Sequence, residues 1–320
     1  MQNGIFERRK LTIDKRRILY IIYIVQIYKK FQKRGYDVMK KAKAAGSALL
    51  YFAIYYAVQF AVSFVFALVA LFDVLASSPP VDFAKDGVKA LVDRLLVFAA
   101  PITLIANLLF VGVVLLVFVI RKKNALVEVG LLKPKVKNIF PSIFMGASLN
   151  IITNVIFSSI KFPQTWVDAY EKSVSMISGE TSVITILTAV ISAPLAEEIL
   201  FRGLIHTRIS RGFGLYVGAA VSSLLFGLVH GNMIQGIYAA ILGLVLVWVF
   251  IKTRSLICPM LLHFSFNGIN YIVNDIGLPV LIISVAVLAS CVAMIFVFNK
   301  KEKAPAVESI DVGADEGTSQ

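Results

Sequence analysis

Charge is scarce in this chain: 16% of its 320 residues are Asp, Glu, Lys or Arg, while 58% are hydrophobic and the mean hydropathy is +0.82. A water-soluble domain does not reach that balance, so lipid is the expected solvent. Only two cysteines are present, Cys258 and Cys291. They exclude a disulfide framework and a Cys-rich metal site, and both fall in apolar runs where a small buried residue is the ordinary reading. No stretch near residue 1 has the form of a cleavable signal peptide, because the first long apolar run has the length of a full span and starts far down the chain. Acidic residues are few, 19 against 32 basic ones, for a net charge of +13. Such an excess can mean nucleic-acid binding, but these cations border apolar runs, where they meet anionic lipid headgroups. A lipid bilayer is the expected partner and nucleic acid is not.

Long apolar runs are what the chain has in plenty. A bilayer core of roughly 30 Å takes about 20 apolar residues per helix, and such runs lie near 47–73, 95–120, 139–160, 181–210, 216–232, 236–251, 256–274 and 279–298. The expected fold is all-α, a polytopic membrane helix bundle of about eight transmembrane helices. Basic residues set its orientation. Arg8, Arg9, Lys10, Lys15, Arg16, Arg17, Lys29, Lys30, Lys33, Arg34, Lys40, Lys41 and Lys43 precede the first span. If the spans alternate, the same side carries Arg121, Lys122, Lys123, Lys133, Lys135, Lys137, Arg208, Arg211, Lys252, Arg254, Lys300, Lys301 and Lys303. The other side has an acidic loop at Asp168 and Glu171 and an uncharged turn from Gly231 to Gln235. This layout predicts a multi-pass protein of the cell membrane with both termini in the cytoplasm. Three regions follow: a basic cytoplasmic segment 1–46, a transmembrane helical domain 47–299 and a disordered tail 300–320 that is acidic from Glu308 to Glu316. Ile18 to Tyr28 is too short for an ordinary crossing; it reads as an interfacial stretch, or as sequence ahead of a natural start at Met39.

Ionisable groups inside apolar runs cost on the order of 3 kcal/mol each and default to a functional reading. Three segments carry them: Glu197-Glu198-Ile-Leu-Phe-Arg202, Phe226-Gly-Leu-Val-His230 and His263-Phe-Ser-Phe-Asn267. Glu198 and Arg202 stand four apart with the acid first, the better order for a helical ion pair. Glu197 lies about 100° around the helix and has no local cation, which makes it the candidate proton acceptor. His263 and Asn267, also four apart, project from one helix face and can donate hydrogen bonds to one point. At a rise of roughly 1.5 Å per residue, Glu197, His230 and Asn267 all lie about 20 Å from the basic ends of their helices. Pro194, one turn before Glu197, is expected to kink its helix and admit water. In a hydrolytic site built from these groups Glu197 takes a proton from water, His230 holds that water and relays the proton, and His263 and Asn267 stabilise the oxyanion. Glu198, Arg202 and Phe226 are the supporting residues. His206 reads as an interface residue, and Asn150 with Asn154 as a packing pair.

In these three motifs, EExxxR, FxxxH and HxxxN, the chain resembles the CPBP (Abi) group of CAAX prenyl proteases and bacteriocin-processing enzymes. The resemblance covers roughly residues 140–275 and implies a glutamate-dependent, metal-independent intramembrane endopeptidase acting on a membrane-associated peptide or protein, with or without a lipid group. Two other readings stand beside it. Glu197, His230 and His263 also make a plausible zinc set, in which case the cofactor is zinc rather than none. Buried acids and bases also line transport pathways, and a catalytically silent immunity protein would keep the helices without the reaction.

Overall fold

The computed structural model describes residues 15–77, 85–178, 182–273 and 276–300, and all regular structure among them is helical. The basic residues 1–14 and the acidic tail from 301 onward lie outside the described residues. Eleven helices are described: α1 (Lys15–Leu75), α2 (Gly87–Val97), α3 (Ala99–Ile120), α4 (Ala125–Val129), α5 (Val136–Ser159), α6 (Gln164–Ser178), α7 (Val183–Phe213), α8 (Leu215–Leu228), α9 (Met233–Thr253), α10 (Ile257–Gly268) and α11 (Leu278–Phe298). A short 3₁₀ turn, Ile269–Tyr271, follows α10.

Six of these helices are long and apolar enough to cross a membrane: α1 over Tyr28–Leu75, α3, α5, α7, α9 and α11. The eight expected spans are not confirmed as a count, because two of the runs fold into shorter helices, α8 with 14 residues and α10 with 12. At the helical rise these measure about 21 and 18 Å, less than the roughly 30 Å hydrocarbon core. The run read as 95–120 also breaks, at Phe98, which separates α2 from α3. Ile18–Tyr28 is not set apart; α1 is one helix of 61 residues that runs through it.

The basic segments gather at one end of the bundle. There Lys137 donates to the carbonyl of Phe298 at 2.9 Å, and Asn138 and Asn299 exchange amide hydrogen bonds. Glu128 faces Lys123 at 3.4 Å and Arg208 and Arg211 at 3.9 Å. The α4 turn is shaped by local chemistry. Asn124 caps it by accepting from the amides of Leu126 and Val127, and Gly130 closes it in the left-handed region at φ 79°. The Gly130 carbonyl then accepts from the amide of Leu256, tying the turn to the start of α10.

Without a hydrophobic drive between helices in lipid, close packing needs small residues at the crossings. α8 and α9 form such a hairpin: a Cβ on Gly227 would collide with the Gly236 carbonyl, and one on Gly243 would meet Ser223 at 3.0 Å. Gly146 of α5 is pressed against the Leu262 carbonyl of α10 in the same way. The buried core between these crossings includes Phe110, Phe118, Phe201, Phe226, Leu200, Leu246 and Leu262.

Candidate active site

The middle of α7 is not a uniform α-helix. Pro194 has no N–H to close the preceding turn, and the helix widens to π geometry over Leu187–Ser192 and again over Ile199–His206, leaving a regular stretch Ala193–Glu198 between them. Such wide turns recur at functional sites because they re-aim side chains. Both glutamates sit at the end of the regular stretch.

Their surroundings differ. Glu198 is wholly buried and accepts from Arg202 at 2.8 Å, the ion pair expected from their spacing, and from Nδ1 of His263 at 3.0 Å. Arg202, also wholly buried, donates to the Gly243 carbonyl of α9 at 3.3 Å and lays its guanidinium over the Phe226 ring, 4.3 Å from the centroid. Glu197 keeps 17% of its side chain exposed, and among the described residues its carboxylate accepts no hydrogen bond; Nε2 of His263 is 3.7 Å from its Oε2. The structure thus separates a bound carboxylate from an available one.

Phe226 is the hub. Its ring meets His230 edge-on at 4.9 Å and His263 edge-on at 5.6 Å, besides carrying Arg202 on its face. His230 ends α8, and its Nδ1 donates to the Phe226 carbonyl at 2.7 Å, so Nε2 is left as an acceptor. His230 lies in electrostatic range of Glu197, His263 and Arg202. The turn that follows it is held by Gly231 at φ 75° and by Asn232, whose side chain accepts from the Gln235 amide at the start of α9.

Asn267 is less free than its motif implies. Its amide donates to the Ala189 carbonyl of α7 at 2.8 Å, leaving one of its two N–H groups for any other acceptor. His263 likewise spends Nδ1 on Glu198 and turns only Nε2 toward Glu197. The carbonyls of Gly243 and Ala189 anchor Arg202 and Asn267, and no side-chain pattern could have pointed to them. The structure brings Glu197, Glu198, Arg202, Phe226, His230 and His263 into one cluster, with Asn267 one turn beyond His263 against the Ala189 carbonyl. His206 stays outside it: it is 3% exposed, 3.5 Å from Ser210 Oγ, where the packing of α8 against α7 covers the helix end that carries it. Asn150 and Asn154 pair at 2.8 Å, with Asn154 also reaching Asn270.

Among the described residues, no three His, Cys, Asp or Glu side chains are grouped so that they could hold a metal ion. Neither a curated protein nor a solved structure matches the chain. A family model does: residues 179–269, the stretch that contains all three motifs and the whole cluster around Phe226, match the family described as type II CAAX prenyl endopeptidase Rce1-like.

Proposed function

We propose that the chain is an intramembrane endopeptidase that hydrolyses a peptide bond of a membrane-associated substrate of the CAAX type with a glutamate-activated water. The observation that carries this reading is the Glu197 carboxylate within the matched stretch, partly open, accepting no hydrogen bond among the described residues and 3.7 Å from His263 Nε2. Glu197 takes a proton from water while His230 Nε2 accepts the water's other hydrogen, which orients its oxygen toward the scissile carbonyl. Attack forms the C–O bond and an oxyanion. The His263 side chain, through Nε2, and the remaining Asn267 N–H stabilise it. Collapse breaks the C–N bond, and the proton passes from Glu197, directly or through His230, to the leaving amine. Glu198 does not take part in the transfers; tied to Arg202 and His263, it holds the imidazole in place.

The substrate is a peptide held at the membrane, and a lipid group on it would partition beside the exposed apolar faces of the bundle. The basic end is the cytoplasmic one, which puts both termini inside and the protein in the cell membrane. The test is N-terminal peptide profiling of membranes from cells carrying wild type, Glu197→Gln or His230→Ala at matched expression. New termini seen only with wild type establish proteolysis. Three identical profiles from stably folded proteins overturn it.

A further inference from the structure

The wide turn Leu187–Ser192 of α7 shifts its backbone hydrogen bonds one residue along, so that the Thr188 carbonyl takes the amide of Ala193, five residues on. In this register the partner of the Ala189 carbonyl is residue 194, which is a proline and has no N–H. Asn267 supplies the missing hydrogen at 2.8 Å. The anchor of that motif residue therefore depends on the π register, because in an α register the Ala193 amide would serve Ala189 and compete with Asn267 for it. What grips the turn comes from α3, outside the motifs and outside the matched stretch. Asn107, buried there, accepts from Gln59 Nε2 of α1 through Oδ1 at 2.9 Å, which turns its Nδ2 to donate to Ser192 Oγ at 3.5 Å. Ser192 Oγ donates to the Thr188 carbonyl at 3.3 Å, and Thr188 Oγ1 donates to the Ala100 carbonyl of α3 at 3.2 Å. The turn is thus held at both ends from α3, Asn267 docks between them, and Glu197 follows Ser192 by five residues.

We infer that Asn107 is a positioning residue of the site: by holding Ser192 it keeps the Leu187–Ser192 turn in π register and so fixes Asn267 and Glu197 relative to each other. This rests on the proteolytic reading above and adds to it a residue the motifs do not contain. Leucine is close to asparagine in size and makes neither of its hydrogen bonds. On a synthetic peptide spanning a cleavage site found by the terminal profiling, at a temperature where the variants are folded, Asn107→Leu is expected to lower kcat roughly 10- to 100-fold and leave KM unchanged. Ser192→Ala should do the same. The double variant should be no slower than the slower single one, since both act through one contact. Asn138→Leu is the matched control, because Asn138 is as deeply buried and exchanges its amide hydrogen bonds with Asn299 at the basic end. It should lower the melting temperature and leave kcat unchanged.

Three results overturn the inference alone: full turnover by Asn107→Leu in an assay where Glu197→Gln is inactive, equal losses of kcat from Asn107→Leu and Asn138→Leu, or losses from Asn107→Leu and Ser192→Ala that multiply in the double variant. If Asn107→Leu does not fold, Ser192→Ala decides alone, and a wild-type kcat from it overturns the inference. Termini that persist in Glu197→Gln, or no wild-type-specific termini at all, overturn the proteolytic reading and this inference with it.

Discussion

Glu197 and Glu198 are adjacent in sequence and opposite in situation, and substitutions should separate them. Glu197→Gln removes an unpaired charge, so it is expected to abolish proteolysis while leaving the melting temperature near that of wild type. Glu198→Gln strands the buried Arg202 guanidinium and weakens the hold on His263, which makes it primarily a stability variant. Breaking one side of a buried pair costs about 3 to 5 kcal/mol, and a lower melting temperature of the purified protein is the check. The roles are reversed if Glu198→Gln is stable and inactive while Glu197→Gln is active. The metal question also belongs to single residues. The proposed reaction activates its water with Glu197 and calls on no metal, so chelation by 1,10-phenanthroline should leave the wild-type termini intact; a loss of termini that added zinc restores would establish the metal-dependent reading.

The helices contribute by how closely they approach. α5 and α10 cross at Gly146, where a Cβ would run into the Leu262 carbonyl, and a backbone carbonyl in a helix cannot step aside alone. Gly146→Ala is therefore expected to push α10, with His263 and Asn267, away from α5 and α7. Overpacking of this kind costs about 1 to 3 kcal/mol, but the displacement of two site groups should reduce turnover by more than that loss of stability would suggest. Gly112→Ala on α3 is the matched control, because its Cβ would meet nothing within 4 Å. Equal activity of the two variants would show that the crossing does not position the site. The short helices α8 and α10 serve the same end: each stops within the bundle and presents its motif side chains where a full-length helix would have continued past them.

For the molecule as a whole, the contacts at the basic end join α4 and the start of α5 to the end of α7, the turn after α9 and the end of α11. That gathering is what an alternating path through a bilayer produces. It predicts that Lys300→Cys, in intact cells, is protected from a membrane-impermeant maleimide while Asp168→Cys is labelled. The native thiols contribute little background, since Cys258 and Cys291 are 0% and 4% exposed. Labelling of Lys300→Cys from outside would invert the orientation.

Composition, run length and the spacing of three motifs were enough to determine a helical membrane bundle, the segments that carry the site and the Glu198–Arg202 pair. Those features depend on solvent preference and on the pitch of a single helix, which are local properties of a sequence. The two short helices escaped that reading because hydropathy reports only that a run is apolar, not where its hydrogen-bonded turns stop. Only the tertiary structure decided that His263 is shared between the glutamates, that Asn267 is anchored to the Ala189 carbonyl and that Phe226 is the hub. Each of those facts depends on which helix faces which and on backbone groups that carry no side-chain signal, so no spacing along the chain could encode it.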